Sequence, residues 1–130
     1  VVVVATVAVL AAVTSGERYS DHLKRALDFR CHTPRPYAVP VSEFLRSYRS
    51  GTKYTPETTV LYRCGNWSGC CINLETPAVC APAKMKTVLL PFQVEYEVTK
   101  DGVEKGTKLI EELEAVNHTR CHCRHLNTPR

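Results

Sequence analysis

The clearest hydrophobic pattern lies in residues 90–99. Phe92, Val94, Tyr96 and Val98 alternate with Gln93, Glu95, Glu97 and Thr99. A period of two predicts a strand with one buried face and one wet face. Lys100-Asp101-Gly102 follows as a turn signal, so a hairpin is expected. The return arm, residues 108–116, is ambiguous: Leu109, Ile110, Leu113 and Val116 have helical spacing, yet hairpin topology asks for a strand. Residues 58–62 are β-branched and apolar and predict a further strand running into Cys64. Pro34, Pro36 and Pro40 break the preceding segment into an edge strand or extended arm, because proline cannot donate to a ladder. Two short helices are also predicted. Ser20 is expected to cap one, in which Leu23 and Leu27 share a face. Ser42 is expected to open the other, with Phe44, Leu45 and Tyr48 on one side and Ser50-Gly51 at its end.

The amino end reads differently. The apolar run over residues 1–13 is shorter than the roughly 20 residues that span a bilayer. Small residues follow it at once, Thr14, Ser15 and Gly16, which resembles the apolar core and cleavage zone of a signal peptide. With no initiator Met and no charged leader, residues 1–16 are read as a partial signal peptide. A Val-rich buried strand is the other reading. No second run of membrane length is present, so the mature chain is expected to be secreted and extracellular, with no membrane partner.

Composition narrows the class. A chain of 130 residues holds one small domain and leaves no room for a multidomain enzyme. Charged residues at 23% and hydrophobic residues at 44% argue against disorder. Lys and Arg number 17 against 13 Asp and Glu, a mild excess that does not point to nucleic acid. One Trp, three Phe and one Met make a thin core, so the seven cysteines are expected to help hold the fold.

Six of the seven cysteines lie between Cys64 and Cys123. Seven choices of the odd residue, times 15 pairings of the other six, leave 105 connectivities. In one of them Cys64…Cys71 and Cys121…Cys123 close a ring that a third bond threads, and Gly69 fits such a ring because a Cβ would obstruct the thread. The arithmetic does not choose it. The run Arg63-Cys64…Gly69-Cys70-Cys71, then Cys80-Ala81-Pro82, then Cys121-His122-Cys123-Arg124 resembles the PDGF/VEGF cystine-knot growth factors. Cys31 with Pro34-Arg35, and His118 and Arg120 before Cys121, extend the likeness over residues 31–124. The resemblance implies an all-β, small, disulfide-rich cystine-knot cytokine with long antiparallel hairpins. A short helical segment, residues 17–30, precedes the knot domain, and a tail, residues 125–130, follows it. The resemblance also implies the pairs Cys31–Cys80, Cys64–Cys121 and Cys71–Cys123, and makes residues 108–116 the second arm of the last hairpin.

Two departures stand out. The family's second cysteine would fall near Thr58, where this chain has none, so Cys70 matches the fourth cysteine without its reciprocal partner and becomes the interchain candidate. Six residues separate Cys64 from Cys71, against three in VEGF-type members, which makes invertebrate PDGF/VEGF-related factors the nearer comparison.

The function implied is that of a secreted homodimer that binds and clusters a receptor tyrosine kinase. A cystine-knot antagonist that binds without signalling, or a monomeric inhibitor or toxin-like scaffold, are the alternatives. Candidate receptor contacts are Tyr19, Leu23 and Leu27 on the helix, Tyr48 and Tyr54 on the first loop, and Lys100 and Lys105 on the hairpin tip. Asn66-Trp67-Ser68 and Asn117-His118-Thr119 are glycosylation sequons. Asn117 is the preferred one, since ring closure could block Asn66. His118, Cys121, His122, Cys123 and His125 could be read as a metal cluster, but oxidised cysteine is a poor ligand, so no metal is expected. Arg120, Arg124, His125 and Arg130 form a small basic end that could touch heparan sulfate, though a solvated terminus explains them as well. No catalytic constellation and no cofactor motif stands out, and an enzyme is not expected.

Overall fold

The computed structural model describes residues 1–7, 16–46, 48–72, 75–97 and 102–126. The turn residues Lys100 and Asp101, the strand positions Val98 and Thr99, residues 8–15 of the signal-like segment and residues 127–130 lie outside them. The described elements are α1 (Tyr19–Asp28), β1 (Arg35–Pro40), α2 (Val41–Phe44), β2 (Thr52–Thr55), β3 (Thr58–Arg63), β4 (Ala78–Tyr96) and β5 (Lys108–His125). Strands β1 and β3 form an antiparallel pair, and β2, β4 and β5 form a three-stranded antiparallel sheet in that order.

The alternation in residues 92–96 is realised in β4. Phe92, Val94 and Tyr96 are buried, while Gln93 and Glu95 are half-buried and Glu97 is exposed. The strand starts earlier than its pattern, at Ala78. Residues 78–89 carry Pro82, Lys84 and Lys86 and a register irregularity around Lys84, so pairing with β5, not periodicity, makes them a strand. Pro82 and Pro91 are tolerated because β2 pairs only with residues 93–96, leaving one side of β4 free elsewhere.

Residues 108–116 fold as a strand despite their helical spacing. Leu113 faces Leu90 and Ala115 faces Val88, both inward, while Ile110 turns out and is 70% exposed. Glu111 shares the inner face and accepts a hydrogen bond from the Tyr96 hydroxyl at 2.7 Å. That bond raises the Tyr96 pKa above its ordinary value of 10.0, with burial and the Glu111 charge adding to it.

Both helices differ from expectation at their ends. The α1 N-cap is Arg18, not Ser20, and no side chain caps it. The helix begins two residues early because Tyr19 belongs to its apolar stripe, with Leu23, Ala26 and Leu27 at helical spacing. Helix α2 lasts only one turn. Phe44 and Leu45 both pack on the core, and Leu45 leaves the helix with extended backbone. Tyr48 therefore lies outside the helix and stacks on Tyr54, ring centroids 5.6 Å apart.

The core is small and in two parts. Val41, Tyr54, Phe92, Val94 and Tyr96 form one cluster, and Val39, Leu61 and Ala115 form the other. Phe44 and Leu90 pack against both and join them. No residue of α1 is buried.

Candidate functional site

The long hairpin of β4 and β5 brings Cys80, Cys121 and Cys123 to one end, with Cys80 directly across from Cys123. Strand β3 delivers Cys64 to the same end. Its last backbone groups do not pair with β5 through a ladder. Side chains bridge the two instead: the Tyr62 N–H donates to Asn117 Oδ1 at 2.9 Å and the Cys64 N–H donates to His118 Nδ1 at 2.8 Å. Accepting that bond leaves the His118 imidazole neutral with its proton on Nε2. Burial lowers its pKa below the ordinary 6.5, and the Arg63 charge acts in the same direction.

Three disulfides close the end of the molecule: Cys31–Cys80, Cys64–Cys121 and Cys71–Cys123, with Cα separations of 5.6, 5.7 and 5.8 Å. The last two tie residues 64–71 to residues 121–123 in a ring. Backbone bonds hold Cys31 against that ring. Cys31 N–H donates to the Cys70 carbonyl at 3.1 Å, Cys70 N–H to the Phe29 carbonyl at 2.7 Å, and Cys121 N–H to the His32 carbonyl at 2.8 Å. A Cβ on Gly69 would lie 2.5 Å from the Cys31 N and Cα atoms, so only glycine lets this strand pass.

The additional ring residues fold into a turn. Ser68 N–H donates to the Gly65 carbonyl at 2.9 Å, Ser68 Oγ donates to the same carbonyl at 2.7 Å, and Gly65 N–H donates to Ser68 Oγ at 3.0 Å. Ser68 is fully buried, with Oγ 3.3 Å from Cys80 Sγ. The enlarged ring is thus filled by its own serine. Trp67 folds outward over Gly65 and stacks on Tyr37, with centroids 4.9 Å apart and planes inclined by 10°.

No protein-family model matches the chain. No curated protein matches it either. Among solved structures it is similar to the crystal structure of the Orf virus NZ2 variant of VEGF-E, at 26% identity and a TM-score of 0.56, covering 85% of this chain and 99% of that one. The fold is a VEGF-like cystine knot. The likeness supports the PDGF/VEGF cystine-knot family and a growth-factor-like cytokine, a non-enzyme class.

The candidate contact residues are not gathered in one place within the chain. Tyr19 is 80% exposed, Leu23 is exposed and Leu27 half-buried, all on α1. Tyr48 is exposed, but Tyr54 is only 7% exposed and belongs to the core, so of that pair only Tyr48 offers substantial surface. Lys105 is exposed, and Lys100 lies outside the described residues. Cys70 is half-buried and is the free cysteine. Two histidines named in the metal reading have other partners: His118 accepts from the Cys64 N–H, and His125 Nδ1 lies 2.6 Å from Thr76 Oγ1. Among the described residues, the three ligand-type atoms that cluster are the sulfurs of Cys31, Cys71 and Cys123, all of which are in disulfides.

Sequence reasoning missed Ser68 as the ring's filling, and Asn117 and His118 as the stitches to β3. It also missed a groove of about 970 Å³ lined in part by Tyr37, Phe44, Trp67, Glu112 and Leu113. Arg63 also lines it, and Arg63 Nε is buried with no hydrogen-bond partner among the described residues. No local pattern signals these, because each depends on which strand lies beside β5.

Proposed function

We propose that this chain is a secreted growth factor of the PDGF/VEGF type that dimerises, binds a receptor tyrosine kinase ectodomain and clusters two receptors. The observation that carries the reading is the knotted ring with its long hairpin, similar to VEGF-E over 85% of the chain. Two unburied apolar surfaces support a homodimer. Helix α1 fully buries none of its stripe of Tyr19, Leu23, Ala26 and Leu27, of which Tyr19 and Leu23 are exposed. The outer face of the β1–β3 pair exposes Ala38, Val60 and Tyr62, with Val60 62% and Tyr62 49% exposed. The groove beside Trp67 and Leu113 is a seat for the α1 of a second copy. A twofold dimer then presents the same surface twice, which is the geometry needed to bring two receptors together.

In this reading each pole joins α1 of one chain to the loop around Tyr48 and the hairpin tip with Lys100 and Lys105 of the other. Cys70 is the thiol available for a bond between chains, and Thr58, exposed at the start of β3, stands where the reciprocal cysteine is missing. Residues 1–16 act as an export signal. The basic group including Arg120 and Arg124 is a weak site for heparan sulfate. The larger ring favours kinship with invertebrate members.

Native mass spectrometry and a receptor-phosphorylation assay test the proposal. The expected results are a mass of two chains and phosphorylation on responsive cells. A single-chain mass under native conditions refutes the dimer. Binding without phosphorylation assigns the antagonist function instead.

A further inference from the structure

We propose that Asn66 is an N-glycosylation site that is open to modification only before the knot closes, and that the order of the chain keeps it open long enough to be modified. The inference rests on the secretory reading above. It starts from the position of the sequon Asn66-Trp67-Ser68 inside the ring. The acceptor in such a sequon includes the hydroxyl two residues on as well as the asparagine amide. In the folded chain Asn66 is exposed at the turn, but Ser68 is fully buried. Its Oγ is held by both the carbonyl and the N–H of Gly65 and lies against Cys80 Sγ. A transferase therefore meets the asparagine without its partner hydroxyl, and the turn cannot extend while Cys64 and Cys71 are both tied to residues 121–123.

Chain order decides when that seal forms. The ring needs Cys121 and Cys123, and Cys121 follows Cys64 by 57 residues. At roughly 5–20 residues per second those residues take about 3–11 s to make, during which Asn66 lies in an open chain. Asn117 has no such interval. It lies just before Cys121, within β5, and its Oδ1 takes the Tyr62 N–H as that strand docks. On this proposal Asn66, not Asn117, is the favoured sequon.

The reaction draws on a lipid-pyrophosphate oligosaccharide donor. The sugar C1–O bond to the pyrophosphate breaks and a C1–N bond to Asn66 Nδ2 forms. The amide loses one proton and the lipid pyrophosphate leaves. The attached glycan projects from the outer side of the turn beside the Tyr37–Trp67 stack, while Ser68 can still turn inward and fill the ring.

Two arms test this. The full chain, exported from a eukaryotic cell behind a cleavable signal, is mapped by glycopeptide mass spectrometry. A glycan at Asn66 is expected, and Asn66→Gln should lose it. In the second arm, unglycosylated full-length protein is offered to an oligosaccharyltransferase with lipid-linked oligosaccharide. It is offered once with its disulfides intact and once reduced and alkylated. Transfer to Asn66 is expected in the reduced chain and lost in the oxidised one. An exported, disulfide-bonded chain without glycan at Asn66 overturns the proposal, as does transfer to Asn66 in the oxidised chain. Neither result bears on receptor binding, so failure here is distinguishable from failure of the growth-factor reading.

Discussion

Replacing Gly69 by alanine adds a single methyl group where the ring crosses the backbone of Arg30 and Cys31. The new Cβ would lie 2.5 Å from two backbone atoms of Cys31, where ordinary contact begins near 3.4 Å. The ring and the segment through Cys31 would have to separate by about 0.9 Å. Neither is free to move, because disulfides anchor both. Separation would also stretch the Cys31 N–H to Cys70 carbonyl and Cys70 N–H to Phe29 carbonyl bonds. Overpacking costs about 1–3 kcal/mol. Weakening two backbone hydrogen bonds costs about 1–3 kcal/mol more. The sum, roughly 2–6 kcal/mol, is a large fraction of the 5–15 kcal/mol that typically holds a domain. Equilibrium urea unfolding followed by the fluorescence of the single Trp67 measures it, with disulfide mapping to confirm native pairing. Gly102→Ala is the control: its φ is +79° but nothing lies within 4 Å of the new Cβ, so only the backbone cost of about 1–2 kcal/mol is expected. A Gly69→Ala protein with native pairing and an unchanged midpoint would refute the argument that the crossing requires glycine.

Other outcomes follow from individual contacts. Phe92 is 1% exposed at the centre of the larger core cluster, so Phe92→Ala should cost about 3–5 kcal/mol in the same unfolding assay. His118 has a folded pKa below the ordinary 6.5, so the unfolded chain binds more protons around that pH. Its contribution is therefore complete above about pH 6.5 and is lost as pH falls through the folded value. Thermal midpoints measured from pH 7.5 down to 5 should show this fall, and His118→Gln should flatten it. The Tyr96 phenol should ionise above the ordinary value of 10.0 in an ultraviolet titration, because its hydroxyl donates to Glu111; Glu111→Gln should lower its pKa.

What could be read in advance depended on how local the cause was. Phe92, Val94 and Tyr96 declare their burial because the strand period places alternate residues on one face whatever the partner. The ends of α1 and α2 are not legible locally, because Ser20 and Ser42 are good caps in isolation, while the apolar residues around them decide where each helix starts and stops. Residues 108–116 carried a helical spacing that no local rule rejects. Pairing with β4 settles them as strand, with Leu113 and Ala115 turned inward and Ile110 left in solvent.

The cysteine positions, their close spacing at Cys70-Cys71 and Cys121-His122-Cys123, and the glycine at position 69 are properties of the sequence, and they carried the resemblance to the cystine-knot growth factors. Only the tertiary structure decided what fills the ring and what stitches it to its neighbours. Ser68 is an ordinary exposed-type residue until the ring closes round it. Asn117 and His118 give no local sign of the backbone partners they acquire when β3 lies beside β5 and offers two N–H groups. The Cys64 N–H is partly shielded from water and takes a side-chain partner, and the more exposed Tyr62 N–H finds one beside it. Both bonds are fixed by the meeting of two distant strands, which no single stretch of sequence records.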